Sequence, residues 1–147
     1  MNHLEGTRTV VGSAVATNSS TTALLRLDTL GYDYASIDVL YGATLAAGTN
    51  SSVAQVLTLQ HSDAATSGYA AITGYTVAAP AFSANTASST SMSVIRLDVD
   101  MRGKRRYLEV ASSPNTLATV TVVARLGKGE EHPTAAAGKG VAIAFRG

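Results

Sequence analysis

The sequence predicts an all-β fold, an antiparallel β-sandwich of about eight strands with extended terminal arms, on three observations. Short runs rich in β-branched residues recur along the 147-residue chain, each bounded by clusters of Gly, Asn, Ser or Asp. No stretch carries the 3.6-residue apolar period of a long amphipathic helix. One run, Ile95 to Met101, alternates strictly, with Ile95, Leu97 and Val99 on one face and Arg96, Asp98 and Asp100 on the other.

The elements follow in order. Thr7 to Val15 is the first strand, with Val11 and Val15 as core positions, and Asn18 to Thr22 is a turn. Ala23 to Leu27 is the second, broken by Asp28-Thr-Leu-Gly31. Tyr34 to Tyr41 places Ala35, Ile37 and Val39 on one face and Ser36, Asp38 and Leu40 on the other. Val53 to Gln60 is a strand whose imperfect alternation signals a bulge. His61 to Gly68 is a turn with room for one helical turn capped by Ser62 or Asp63. Tyr69 to Val77 is extended with an interruption at Gly74, and Ala78 to Ser91 is a long surface connection. After Ile95–Met101, the turn Arg102-Gly-Lys104 and the return Arg106 to Val110 read as a hairpin, with Leu108 and Val110 on its core face. Leu117 to Leu126 is the next strand, and Val141 to Phe145 suits a final short one. The division is an N-terminal arm over 1–6, a sandwich over 7–126 and a C-terminal arm over 127–147.

Composition narrows function. Eleven basic against 10 acidic residues leave a net charge of +1, without the basic excess that phosphate neutralisation needs. Charged residues are 14% and hydrophobic residues 46%, so the chain has material for a core under a surface made polar by Ser, Thr, Asn and Gly. Such a lightly charged surface is readily covered by a partner, which favours an assembly component over an enzyme. Cysteine is absent, which removes disulfides, thiolate metal sites and Cys nucleophiles. No apolar run reaches the roughly 20 residues of a membrane-spanning helix, and the start lacks a signal core. The expectation is a soluble, unprocessed chain that binds neither nucleic acid nor membrane.

No catalytic, cofactor or metal site is expected. His61, Ser62 and Asp63 are consecutive, and neighbours on an extended chain point apart, whereas nucleophile and base must converge. Three scattered histidines, His3, His61 and His132, have no metal-ligand spacing. Asp98 and Asp100 share a strand face, roughly 6–7 Å apart, a separation suited to glycoside hydrolysis or calcium. A ladder of charge pairs with Arg96 and, across the hairpin, Arg105, Tyr107 and Glu109 accounts for them more simply. The densest cluster is Arg102, Lys104, Arg105 and Arg106. With Tyr107 as its one nearby aromatic it lacks the stacking residues of a nucleic-acid site, and these four are the candidate protein-contact residues.

Three stretches carry a resemblance. They are Leu27 to Leu40 with Gly31-Tyr-Asp-Tyr34 and Ser36-Ile-Asp-Val39, Val56 to Asp63 leading to Tyr69-Ala-Ala-Ile72, and Val94 to Val110 with its Arg-Gly-Lys-Arg-Arg turn. Together, over roughly residues 24–125, the chain resembles the head decoration, or cement, proteins of tailed bacteriophages. The resemblance implies a jelly-roll-like β-sandwich on the capsid surface of a virion, bound to the major capsid protein and self-associated as a homotrimer. It implies a mechanical role without catalysis or cofactor, cementing neighbouring capsid subunits by interface burial. A head–tail connector or tail component shares the composition. A carbohydrate-binding β-sandwich is a further alternative, disfavoured because Trp is absent and aromatics are 5%.

Overall fold

The computed structural model describes residues 6–16, 22–41, 56–78, 93–113 and 118–129. These form eight strands: β1 (Arg8–Ala16), β2 (Thr22–Asp28), β3 (Tyr32–Tyr41), β4 (Val56–Ser62), β5 (Ala70–Ala78), β6 (Ser93–Asp100), β7 (Tyr107–Ser113) and β8 (Ala118–Gly129). The front sheet has the order β1-β8-β3-β6 and the back sheet β2-β7-β4-β5. Every neighbouring pair is antiparallel.

The order has a simple origin. β4 pairs with β5, β3 with β6, β2 with β7 and β1 with β8, so the chain is one long hairpin with the β4–β5 turn at its tip. Rolling that hairpin brings β8 against β3 and β7 against β4, which produces two facing sheets. This is the jelly-roll arrangement, two interlocked Greek keys. The fold is an all-β antiparallel sandwich, as the sequence predicts.

The core lies between the sheets. Period-2 alternation delivers Ala35, Ile37 and Val39 from β3, Leu97 and Val99 from β6, and Val120, Val122, Ala124 and Leu126 from β8. Leu57, Leu59, Leu108 and Val110 meet them from the back sheet, all fully buried. Each such side chain contributes roughly 1.5–3 kcal/mol by leaving water. In β2 both Leu24 and Leu25 are buried, because the register with β7 shifts between Ala23 and Leu25 and turns consecutive residues inward.

The two open sides of the sandwich close differently. Where β1 meets β2, Gly12 lets the backbones touch: a Cβ there would lie 2.8 Å from both the Leu24 carbonyl oxygen and Leu25 Cδ1. On the other side the β5 register shifts between Thr58 and Gln60 of its partner, with Gly74 in the bulge at φ +87°. Tyr75 then reaches across, its hydroxyl donating to the Asp98 carbonyl of edge strand β6 at 2.7 Å. That bond occupies an edge acceptor that another strand would otherwise use.

Several expectations fail. Val11, read as a core position, is 59% exposed, and its neighbour Val10 packs against the core instead. Ile95–Met101 and Arg106–Val110 do not form a hairpin: β6 pairs with β3 in the front sheet, whereas β7 pairs with β2 and β4 in the back sheet. Alternation specifies one buried face on each strand, and two strands in facing sheets satisfy it as well as two in one sheet. Residues 101–106 are therefore a crossover, laced to the neighbouring β2–β3 crossover by Met101 N–H donating to the Asp33 carbonyl (2.8 Å) and Thr29 N–H donating to the Arg106 carbonyl (3.0 Å). A helical turn after His61 is also not formed; residues 63–67 are bends. β8 runs to Gly129, past the expected boundary at 126. Both arms beyond residues 6–129, the turn at 18–21, the connection over 79–91 and the strand Val141–Phe145 lie outside the described residues.

Candidate protein-contact surface

The crossovers β2–β3 and β6–β7, the β4–β5 turn, the start of β1 and the end of β8 converge at one end of the sandwich, fixed by the register of the strands they join. All four sequence-predicted contact residues sit here, each held differently. Arg106 forks onto Asp28 at 2.7 and 2.9 Å and lies over the Tyr107 ring. Arg102 clamps Asp100 from its own strand end at 2.5 Å and stacks over Tyr34. Arg105 reaches Asp63 of the β4–β5 turn at 3.5 Å. Lys104 makes no ion pair among the described residues.

These contacts set the local electrostatics. The hydrogen bond from Arg102 holds the Asp100 carboxyl down at about 2. Hydrogen bonds from Arg106 and Arg96 lower Asp28 and Asp38 in the same way, against a smaller opposing effect of burial. The cluster is thus largely neutralised by acids from three separate connections.

The expected charge ladder exists with different partners, because β6 lies beside β3. Arg96 forks onto Asp38 at 2.7 and 3.2 Å, and Ser36 donates its hydroxyl to Asp98 at 2.6 Å. Glu109 is on the other sheet, buried and paired with Arg26 at 2.5 Å. The Tyr69 ring stands 5.4 Å from the Arg26 guanidinium and covers this pair, and burial raises the Tyr69 phenol above its ordinary range.

The His61-Ser62-Asp63 run is a joint. His61 Nδ1 accepts the Arg105 backbone N–H at 3.3 Å, and Asp63 faces the Arg105 guanidinium. Buried Ser62 donates its hydroxyl to the Ser67 carbonyl at 2.6 Å and accepts the Ala64 N–H at 3.0 Å. His61 and Asp63 both meet Arg105, whereas the Ser62 hydroxyl is taken up by the backbone of the turn. Among the described residues no group of three or more His, Asp or Glu is placed to hold a metal, and no helix is long and apolar enough to cross a membrane.

Sequence reasoning missed the acids. Asp28, Asp63 and Asp100 stand immediately before or within turns, where Asp caps local backbone, as Asp28 does for the Leu30 N–H and Asp100 for the Arg102 N–H. That role hid their second one. The other end of the sandwich differs in kind. The strand ends there are joined through 17–21, 42–55, 79–92 and 114–117, and none of these segments contains Asp, Glu, Lys or Arg. The adjoining strand halves are also free of charge beyond the Asp38–Arg96 and Arg26–Glu109 rows. Compared with protein-family models and with curated proteins, the chain matches none.

Proposed function

We propose that this chain is a structural virion protein that binds the outer surface of a phage capsid and cements neighbouring major capsid subunits by interface burial. It acts without catalysis or cofactor, self-associates as a homotrimer, and has no nucleic-acid or membrane partner. The observation that carries the reading is the charge-free half. A charge buried at an interface without a partner costs several kcal/mol, so a surface meant for permanent contact is best built without any. The segments that join the strand ends there, rich in Ser, Thr, Asn and Ala and free of charge in sequence, meet that requirement. The shell contact belongs at this end, with Lys104 and Arg105 at the far end open to acidic groups of a neighbouring copy.

The jelly roll supports the reading only as a scaffold, since the same architecture serves capsid and lectin domains alike. The resemblance of Val56–Asp63 and Val94–Val110 to decoration proteins supplies the class of partner. The test is purification of the particles encoded beside this chain, followed by mass spectrometry and single-particle imaging. A copy number in fixed ratio to the shell protein, with density on the outer surface, supports the reading. A few copies confined to the vertex or tail favour the connector reading, and absence from particles overturns both.

A further inference from the structure

His61 is the last residue of β4 on its inward face. Leu57 and Leu59, four and two positions earlier, are fully buried, and period-2 alternation continues that face to His61. Register sets Leu108 of β7 and Ala70 of β5 on either side of it, and Leu108 is also fully buried. The imidazole therefore stands at the rim of the core, under the β6–β7 crossover. There its Nδ1 accepts the Arg105 backbone N–H at 3.3 Å, across 44 residues of sequence.

That bond fixes a protonation state. A backbone N–H only donates, so Nδ1 must carry a lone pair and the ring proton of the neutral imidazole sits on Nε2. An imidazolium has a proton on both nitrogens and can accept nothing. Histidine is the side chain that makes this change between about pH 5 and 8. The bonds flanking it do not titrate there. Lys104 N–H donates to the Met101 carbonyl at 2.9 Å, and the Arg106 carbonyl accepts both the N–H and the hydroxyl of Thr29.

The surrounding charges oppose the proton's arrival. The crossover carries Arg102, Lys104, Arg105 and Arg106. Asp100, Asp63 and Asp28 are already engaged by Arg102, Arg105 and Arg106, and Asp33 adds to the field at Arg102. On β7, Tyr107 lies opposite Ser62, and on β5 the residue opposite His61 is the uncharged Ala70. A proton on His61 thus adds a further cation where the neighbouring acids are taken.

We propose that His61 is a pH-sensitive latch. Neutral, it holds the β4–β5 turn to the β6–β7 crossover through the Arg105 amide; on taking a proton it releases that amide. The two segments then stay joined only by the exposed Arg105–Asp63 pair. The latch is independent of shell binding. It makes the seat of Arg105 sensitive to mild acid, above the range in which carboxylates take protons, and leaves the charge-free end unresponsive.

The test is a titration of the isotope-labelled full chain from pH 8 to pH 5 by NMR. At pH 8 the His61 ring nitrogens should show the Nε2–H form. The Arg105 amide should then shift with the same midpoint as the His61 ring. Its exchange, corrected for intrinsic rate, should rise about two- to tenfold, as loss of one hydrogen bond implies. The Thr29 and Lys104 amides should keep their protection. His61→Asn leaves a side-chain oxygen near the Nδ1 position at every pH, so its Arg105 amide should stay protected and flat across the range. An Nδ1–H ring at pH 8, or an Arg105 amide indifferent to the state of His61, would overturn the latch. So would a His61 ring that takes no proton above pH 5, or the same Arg105 response persisting in His61→Asn.

Discussion

The two ends of this sandwich hang from one core and are built from opposite materials. At the charged end Arg102, Arg105 and Arg106 are each tied to an acid, and the backbone of the β6–β7 crossover is bonded to Asp33, Thr29 and His61. At the other end the connecting segments hold no charge at all. The difference teaches that a dense basic cluster need not be a set of free charges. This protein's densest basic cluster is spent largely on holding three connections together, and the surface easiest to desolvate is the one a charge map leaves blank.

The largest expected effect removes what both ends share. Leu108 is fully buried and Leu97 is 6% exposed, so Leu→Ala at either should cost roughly 2–5 kcal/mol in chemical denaturation. Both ends should then fail together, in one transition. Two separate transitions would break the picture of a common core.

Ser62→Ala should act more locally. It removes two hydrogen bonds from a buried hydroxyl, at a cost of about 1–2 kcal/mol. Hydrogen exchange over residues 63–69 should rise while exchange near β7–β8 stays unchanged. Uniform acceleration would show that the turn is coupled to the whole sandwich.

Acid sharpens the contrast further. Asp28, Asp38 and Asp100 all have carboxyl values lowered by Arg hydrogen bonds. A lowered folded value means that stabilisation is complete above the unfolded carboxylate value of about 3.9 and is lost as pH falls through the folded one, which for Asp100 is about 2. Amides of residues 100–106 should therefore shift between about pH 4 and 2, before those of the core strands. Simultaneous change throughout would contradict a separately stapled end.

Much of this was legible in advance, and the failures have physical causes. The inward faces of β3 and β6 could be read directly, since Ile37, Val39, Leu97 and Val99 alternate with polar residues and are buried. Pairing was not legible across Met101–Arg106, because alternation fixes which side a residue faces and says nothing about which strand lies beside it. Leu24 and Leu25 defeat a period-2 reading through the bulge between Ala23 and Leu25. The basic cluster was visible as sequence, but its neutralisation by Asp28 and Asp63 depends on contacts 78 and 42 residues distant. The charge-free end becomes visible only when strand order gathers four separate segments.

The central claim is that the charge-free end makes the shell contact. Its direct test measures retention on particles for Ala23→Asp and Thr76→Asp, exposed positions near the strand ends of that end, against Lys104→Ala and Arg105→Ala at the other. Surface substitutions leave stability within about 0.5 kcal/mol, so all four variants should melt like the parent chain. An unpaired carboxylate forced into an interface costs several kcal/mol, and the two Asp variants should lose affinity for the shell by about two orders of magnitude. Lys104→Ala and Arg105→Ala should bind within a few-fold of the parent. Full retention of the Asp variants, or loss of binding when the cations are removed, would contradict the account.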